Sequence, residues 1–150
     1  MKKQTTMRVL AGVFFLCSTL FFAQCRTSSY QVKGIADKVW TYSQTHPDGF
    51  TLDVRTMSEP TEGICVAYAA MQNSHSRDQL PKVISHALSH NGFVGGWLNT
   101  SDSLYYFDSD RIFPEDSLSA ALRFAKENGQ ISVFVLSTST EIVVDSTAKR

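Results

Sequence analysis

The sequence predicts one α+β domain, because three amphipathic helical stripes alternate with pairs of short β-patterned segments and turn residues mark every junction. Of the three cysteines only Cys65 falls inside that domain, so no internal disulfide framework carries it. The roughly 120 residues behind the amino-terminal segment suffice for one core that buries about two-thirds of the unfolded surface.

Ile35, Val39 and Tyr42 recur at helical spacing, with Trp40 beside them, and predict a first helix over 32–45. His46-Pro47-Asp48-Gly49 ends it in a turn. Phe50 to Arg55 alternates apolar and polar residues, the pattern of a strand with one buried face. Ile64 to Ala70 is nearly continuous apolar and reads as a central strand. Gln72-Asn73-Ser74-His75 reads as a polar loop. Ser76-Arg77-Asp78-Gln79 has capping-box spacing ahead of a second helix whose stripe is Leu80, Val83, Ile84, Ala87 and Leu88. Asn91-Gly92 stops it.

Phe93 to Leu98 and Leu104 to Phe107 form an expected hairpin around 99–103. Asp108-Ser109-Asp110 is expected to break it, leaving Arg111-Ile112-Phe113 as a separate short extended piece. Pro114-Glu115-Asp116 opens a third helix with the stripe Leu118, Ala121, Leu122 and Ala125, stopped by Asn128-Gly129. Ile131 to Leu136 and Glu141 to Val144 are the last strands, the latter at an edge. The order is α-β-β-α-β-β-α-β-β, favouring an antiparallel or mixed sheet with helices packed on it.

Ahead of this domain, Met1 to Arg8 is basic and free of acids, and Val9 to Ala23 is an apolar run of 15 residues. As a helix that run spans about 22 Å, short of the roughly 30 Å hydrocarbon core, and suits an export signal better than a permanent span. Phe22-Ala23-Gln24-Cys25 resembles the lipobox of bacterial lipoproteins, departing from it at Phe22 and Gln24. Residues 1–25 are therefore read as a signal with Cys25 as the lipidation site, 26–31 as a tether, 32–145 as the domain and 146–150 as a frayed tail. An uncleaved amino-terminal anchor is the alternative. From Tyr30 onward 10 basic residues face 14 acidic ones, with no basic stripe, which argues against a nucleic-acid partner.

Pro47 to Leu52, Glu59 to Gly63, Gly95-Gly96-Trp97, Tyr105 to Asp108 and Asn128-Gly129-Gln130 together resemble an uncharacterised domain of hypothetical proteins from conjugative elements and phages, over Ile35 to Ile142. The resemblance implies a mobile-element setting and no catalytic residues. The export signal departs from the forms of that domain which begin near the first helix.

Several constellations carry possible chemistry. His86 and His90 have the spacing at which two imidazoles share a metal, but the general base of a zinc-protease helix would stand at Ala87, and two solvent-facing histidines is the better reading. Cys65 with His75 suggests a thiol and its base, against a plain core cysteine in an apolar strand. Asp108 and Asp110 suit an acid–base pair or a cation site, against ordinary turn chemistry. Ser137-Thr138-Ser139 with Glu141 and Arg55 resembles the serine-rich strand of ADP-ribosyltransferases, but only nine residues follow Glu141 and no later glutamate motif is present. Trp97, Tyr105 and Tyr106 beside Gly95-Gly96 form either a recognition patch or simple cross-hairpin packing.

No complete catalytic set emerges and no cofactor is called for. The sequence points to an exported, lipid-anchored interaction module of a mobile element, without catalytic activity, held at the membrane on its periplasmic or cell-surface side and engaging an unknown protein partner. One alternative is a small hydrolase or toxin-like enzyme built from His75, Asp108 and Asp110. Another is an immunity-like lipoprotein that binds a cognate toxin.

Overall fold

The computed structural model describes residues 28–144; the expected signal, Cys25 and the tail 146–150 lie outside the described residues. The domain is α+β, with three helices and a single antiparallel sheet. The helices are α1 (Ser29–Ser43), α2 (Leu80–Ser89) and α3 (Leu118–Glu127). The strands are β1 (Phe50–Asp53), β2 (Ile64–Ala67), β3 (Ser74–His75), β4 (Phe93–Asn99), β5 (Leu104–Phe113), β6 (Ser132–Val135) and β7 (Thr140–Val143). They lie in the order β1-β4-β5-β2-β6-β7, with β3 also on β5. Among the described residues no helix is long and apolar enough to cross a membrane.

Helix α1 starts earlier than its apolar stripe indicates. Ser28 Oγ accepts from the Gln31 N–H at 3.2 Å and Gln31 Oε1 accepts from the Ser28 N–H at 3.0 Å. This reciprocal box satisfies two free backbone donors, so Ser29, Tyr30 and Gln31 belong to the helix and not to a tether. The box expected over Ser76 to Gln79 does not form, since Gln79 caps α2 with no side-chain bond and Ser76 has a positive φ of 75°. There Pro81, in the first turn, sets the start.

Strand β5 corrects the expected break at Asp108-Ser109-Asp110. It runs unbroken from Leu104 to Phe113, because both of its edges are paired. One edge bonds β4 from Leu104 to Asp110. The other bonds β3 at Tyr106 and Phe107 and β2 from Asp110 to Phe113. Ladder bonds on both sides outweigh the local turn preference of Asp and Ser. The same pairing turns the expected loop at Ser74 and His75 into a two-residue strand.

All three helices pack on one face of the sheet. Helices α1 and α2 cover β1, β4 and the first half of β5, burying Val32, Val39, Leu52, Ile84, Val94 and Phe107. Helix α3 covers β2 and β6 and buries Ile64, Val66, Ala121, Ala125 and Val133. Between the two cores, His86 Nδ1 of α2 lies 2.9 Å from Ser109 Oγ of β5, which satisfies a fully buried hydroxyl. Tyr105 joins this helical side, its ring 5.5 Å from Trp40 and its hydroxyl donating to the Ser43 carbonyl.

The sheet is strongly curled. Thr51 Oγ1 donates to Cys65 Sγ at 3.7 Å, although β4 and β5 separate their strands. In a flat sheet, three steps of ~4.8 Å would hold them about 14 Å apart. The concave side faces away from the helices. Gly95 and Gly96 lie where the curl is tight: a Cβ on Gly96 would come within 2.6 Å of the Phe50 ring and 2.9 Å of the Phe107 ring.

Gly96→Ala is therefore expected to overpack the core and cost about 1–3 kcal/mol, seen as a lower urea midpoint. Gly34→Ala, in helix α1 with nothing within 4 Å of the added methyl, is expected to stabilise the fold by about 0.5–1 kcal/mol and raise the midpoint. Equal effects at the two sites would contradict the packing described.

Candidate functional site

The concave face follows from the two-residue period of its strands. In β5, Tyr105, Phe107 and Ser109 point to the helices, so Tyr106, Asp108 and Asp110 point into the curl. Facing them are Thr51 from β1, Trp97 from β4, Cys65 from β2 and Phe134 from β6. Asp108 and Asp110 with Thr51, Cys65, Trp97 and Phe134 line a cavity of about 490 Å³, within the ~300–1,000 Å³ of ordinary ligand pockets; Tyr106 lies on the same face but outside the lining.

Asp110 forms the floor. It is 4 % exposed, and its carboxyl lies against the backbone of Gly95, where a Cβ would come within 2.4 Å of Oδ2. Glycine is required there for close approach. The hydrogen-bonding neighbour of Asp110 is the Cys65 thiol, and no backbone or side-chain N–H of the described residues reaches it. Burial first, and the neighbouring Asp108 second, push the Asp110 carboxyl well above the ordinary carboxylate range. Asp108 is raised by burial as well, an effect opposed by the Asn73 N–H bonded to Oδ1 and by the charge of His75.

Cys65 is buried, and desolvation followed by the Asp110 charge pushes its thiol well above the usual value. That is the opposite of nucleophile activation. Its hydrogen-bonding neighbours are Thr51 and Asp110, not His75, so the sequence-level pairing of Cys65 with His75 is replaced by a buried thiol beside a carboxyl.

The remaining candidates divide by face. His75 pairs with Tyr106 across β3 and β5, its ring 4.2 Å away edge-on, and its buried Nδ1 has no hydrogen-bond partner. It stands near enough to Asp108 to act on its charge but does not line the cavity. Trp97 and Tyr106 stack at 5.2 Å. Trp97 is 42 % exposed at the cavity mouth, and the Tyr106 hydroxyl donates to Asp102 Oδ2 at 2.7 Å. Tyr105, grouped with them in the sequence, is directed to the helices by strand alternation and leaves the patch.

His86 and His90 lie on the helical side, away from the cavity. They stack at 3.9 Å rather than both facing solvent. His86 Nδ1 is engaged by Ser109 and His90 Nδ1 by the His86 carbonyl. Burial first, and His90 second, lower the His86 pKa. Among the described residues no group of three or more His, Cys, Asp or Glu is placed to hold a metal.

Thr51, Glu59, Phe134 and Glu141 belong to the cavity lining without having been singled out for it in the sequence. Alternation in β1 and β6 puts Thr51 and Phe134 on the face away from the helices, but only the curl brings them to Asp110. No protein-family model, no curated protein and no solved structure matches the chain.

The raised carboxyls make stability pH-dependent. The folded chain keeps protons on Asp108 and Asp110 that the unfolded chain releases at about pH 4. Their contribution is whole below that pH and is lost as the pH rises through the raised folded values. The urea midpoint is expected to fall as the pH rises above about pH 4, and to fall less in Asp110→Asn. Parallel profiles for the two proteins would show that Asp110 ionises freely.

Proposed function

We propose that the chain is an exported interaction module without catalytic activity, tethered through Cys25 or an uncleaved signal, which engages a protein partner through the concave face of its sheet. The observation that carries this reading is the one-sided architecture. Three helices cover one face, while the other keeps a cavity with Trp97 and Phe134 each 42 % exposed at it. Soluble domains rarely leave aromatic side chains grouped around a cavity unless something docks there. The mildly acidic charge after the signal supports a partner other than nucleic acid. The mobile-element setting rests on the resemblance over Ile35 to Ile142, and the membrane tether on the signal-like start.

A second reading, a small hydrolase, is favoured by one observation: Asp108 and Asp110 share the cavity, and a carboxyl whose pKa burial raises is suited to act as a general acid. His75, the third member expected, lies outside the lining. Product release from a hydrolase substrate panel that is lost in Asp108→Asn would replace the first reading with this one.

Two measurements test the proposal. Mass spectrometry of the membrane-extracted protein is expected to find a mature amino terminus at acylated Cys25, or an intact Met1 in the membrane fraction; intact Met1 in the cytosol would remove the tether. A photo-crosslinking amino acid at Trp97 is expected to trap the partner in cells. The same group at Lys38, exposed on helix α1, is expected to trap none. Adducts from Lys38 alone would place the interface on the helices.

A further inference from the structure

The chemistry of the cavity lining is one-sided. Asp48, Glu59, Asp108, Asp110 and Glu141 contribute five carboxyl groups, and no Lys, Arg or His is among the lining residues. Around them stand the Trp97 and Phe134 rings. Aromatic faces and carboxylates attract the same class of group, a cation with an aliphatic stem: the π-face through its quadrupole, the carboxylate through charge and hydrogen bonds.

Acidic residues on a surface carry little information by themselves, but Asp110 is not on the surface. It is 4 % exposed, directed into the cavity and reached by no N–H donor of the described residues. Neither Asp108 nor Asp110 ion-pairs within the described chain, whereas the exposed Asp37 pairs with Arg77 at 2.6 Å. Burying a carboxyl without a cation or several N–H donors is costly, and Gly95, whose missing side chain makes the room, keeps that carboxyl at the bottom of an open trough.

On the reading of this face as the interaction surface, we infer that the trough takes a cationic side chain of the partner protein, a lysine ammonium or arginine guanidinium, seated over Asp108 and Asp110 between the Trp97 and Phe134 rings. The rim acids Asp48, Glu59 and Glu141 draw the partner's basic segment to the mouth, where long-range charge acts on encounter. At the floor the cation replaces protons. Asp110 faces Asp108 of its own strand, Cys65 of β2 and the bare backbone of Gly95 on β4; Thr51 of β1 reaches the same thiol, and His75 of β3 is near enough to Asp108 to act on its charge. An incoming positive charge favours the ionised carboxyls. Binding therefore releases protons and tightens as the pH rises.

The test uses the full chain, labelled with nitrogen-15 in non-ionic detergent micelles and titrated with n-butylammonium, n-butylguanidinium and the uncharged n-butanol. Both cations are expected to shift the Trp97 indole and Gly95 amide signals saturably, at least tenfold more tightly than n-butanol, and more tightly at higher pH. Asp110→Asn is expected to weaken cation binding at least tenfold, and Asp37→Asn to leave it unchanged. The Trp40 indole, packed against the core, reports whether Asp110→Asn keeps its fold, and Glu59→Gln with Glu141→Gln gives a second, surface-lying variant expected to weaken binding severalfold. Equal binding of n-butanol, or unchanged cation binding in both variants, would overturn the cation assignment while leaving the face as an interaction surface. Saturable shifts with magnesium or calcium ions but not with the organic cations would overturn it in favour of a metal site. Loss of the interface itself would be seen separately, as failure of the Trp97 crosslink.

Discussion

The curl of the sheet is the constraint on which the rest of the molecule depends, and the contact between Thr51 and Cys65 measures it. Side chains from strands that would lie about 14 Å apart in a flat sheet are brought within hydrogen-bonding distance. That bend turns a helix-free face into a trough, encloses Asp110 and groups side chains from strands far apart in the ladder. It also explains the paired glycines of β4. Gly96 admits the Phe50 and Phe107 rings on the convex side, while Gly95 admits the Asp110 carboxyl on the concave one. One dipeptide thus relieves crowding on both faces of the same bend.

Strand β5 links this geometry to stability. It is paired along both edges, and its alternating side chains serve two environments. Phe107 and Ser109 tie the strand to α2, through apolar packing and through His86, while Phe113 anchors it in the core beneath α3. Its other face carries Asp108 and Asp110 into the trough. The helical side supplies apolar burial, so it can hold in place a concave side that includes two desolvated acids. Those acids are maintained against their own solvation preference, and this is common where structure serves recognition or chemistry.

Much of the fold was legible in particular segments. The stripes of α2 and α3 lie where Leu80, Val83, Ile84 and Ala87, and then Ala121 and Ala125, enter the two cores. The alternation of Phe50 to Asp53 marks β1, and Glu141 to Val143 falls in the edge strand β7. Less legible were places where local chemistry and tertiary pairing disagree. Asp108-Ser109-Asp110 has the composition of a turn but lies inside the longest strand, and Ser74-His75 reads as loop until β5 offers it a partner edge. At Ser28 the capping box is present in the residues, but it lies ahead of Val32, where the stripe of Ile35, Val39 and Tyr42 puts the start of the helix.

The candidate site divides in the same way. Residues alone raised Asp108, Asp110 and Trp97 as candidates and showed no basic stripe, because side-chain chemistry and charge can be read from the chain itself. They also set the parity that sends Tyr105 and Tyr106 to opposite faces. Tertiary structure decided which parity faces the helices, that Cys65 lies beside Asp110 and not His75, that His86 and His90 stack behind the sheet, and that Thr51, Phe134 and Glu141 share one trough. The physical reason is curvature: it arises from packing between strands distant in sequence, so no single segment carries its signature, yet it sets the distance between every pair of groups in the site.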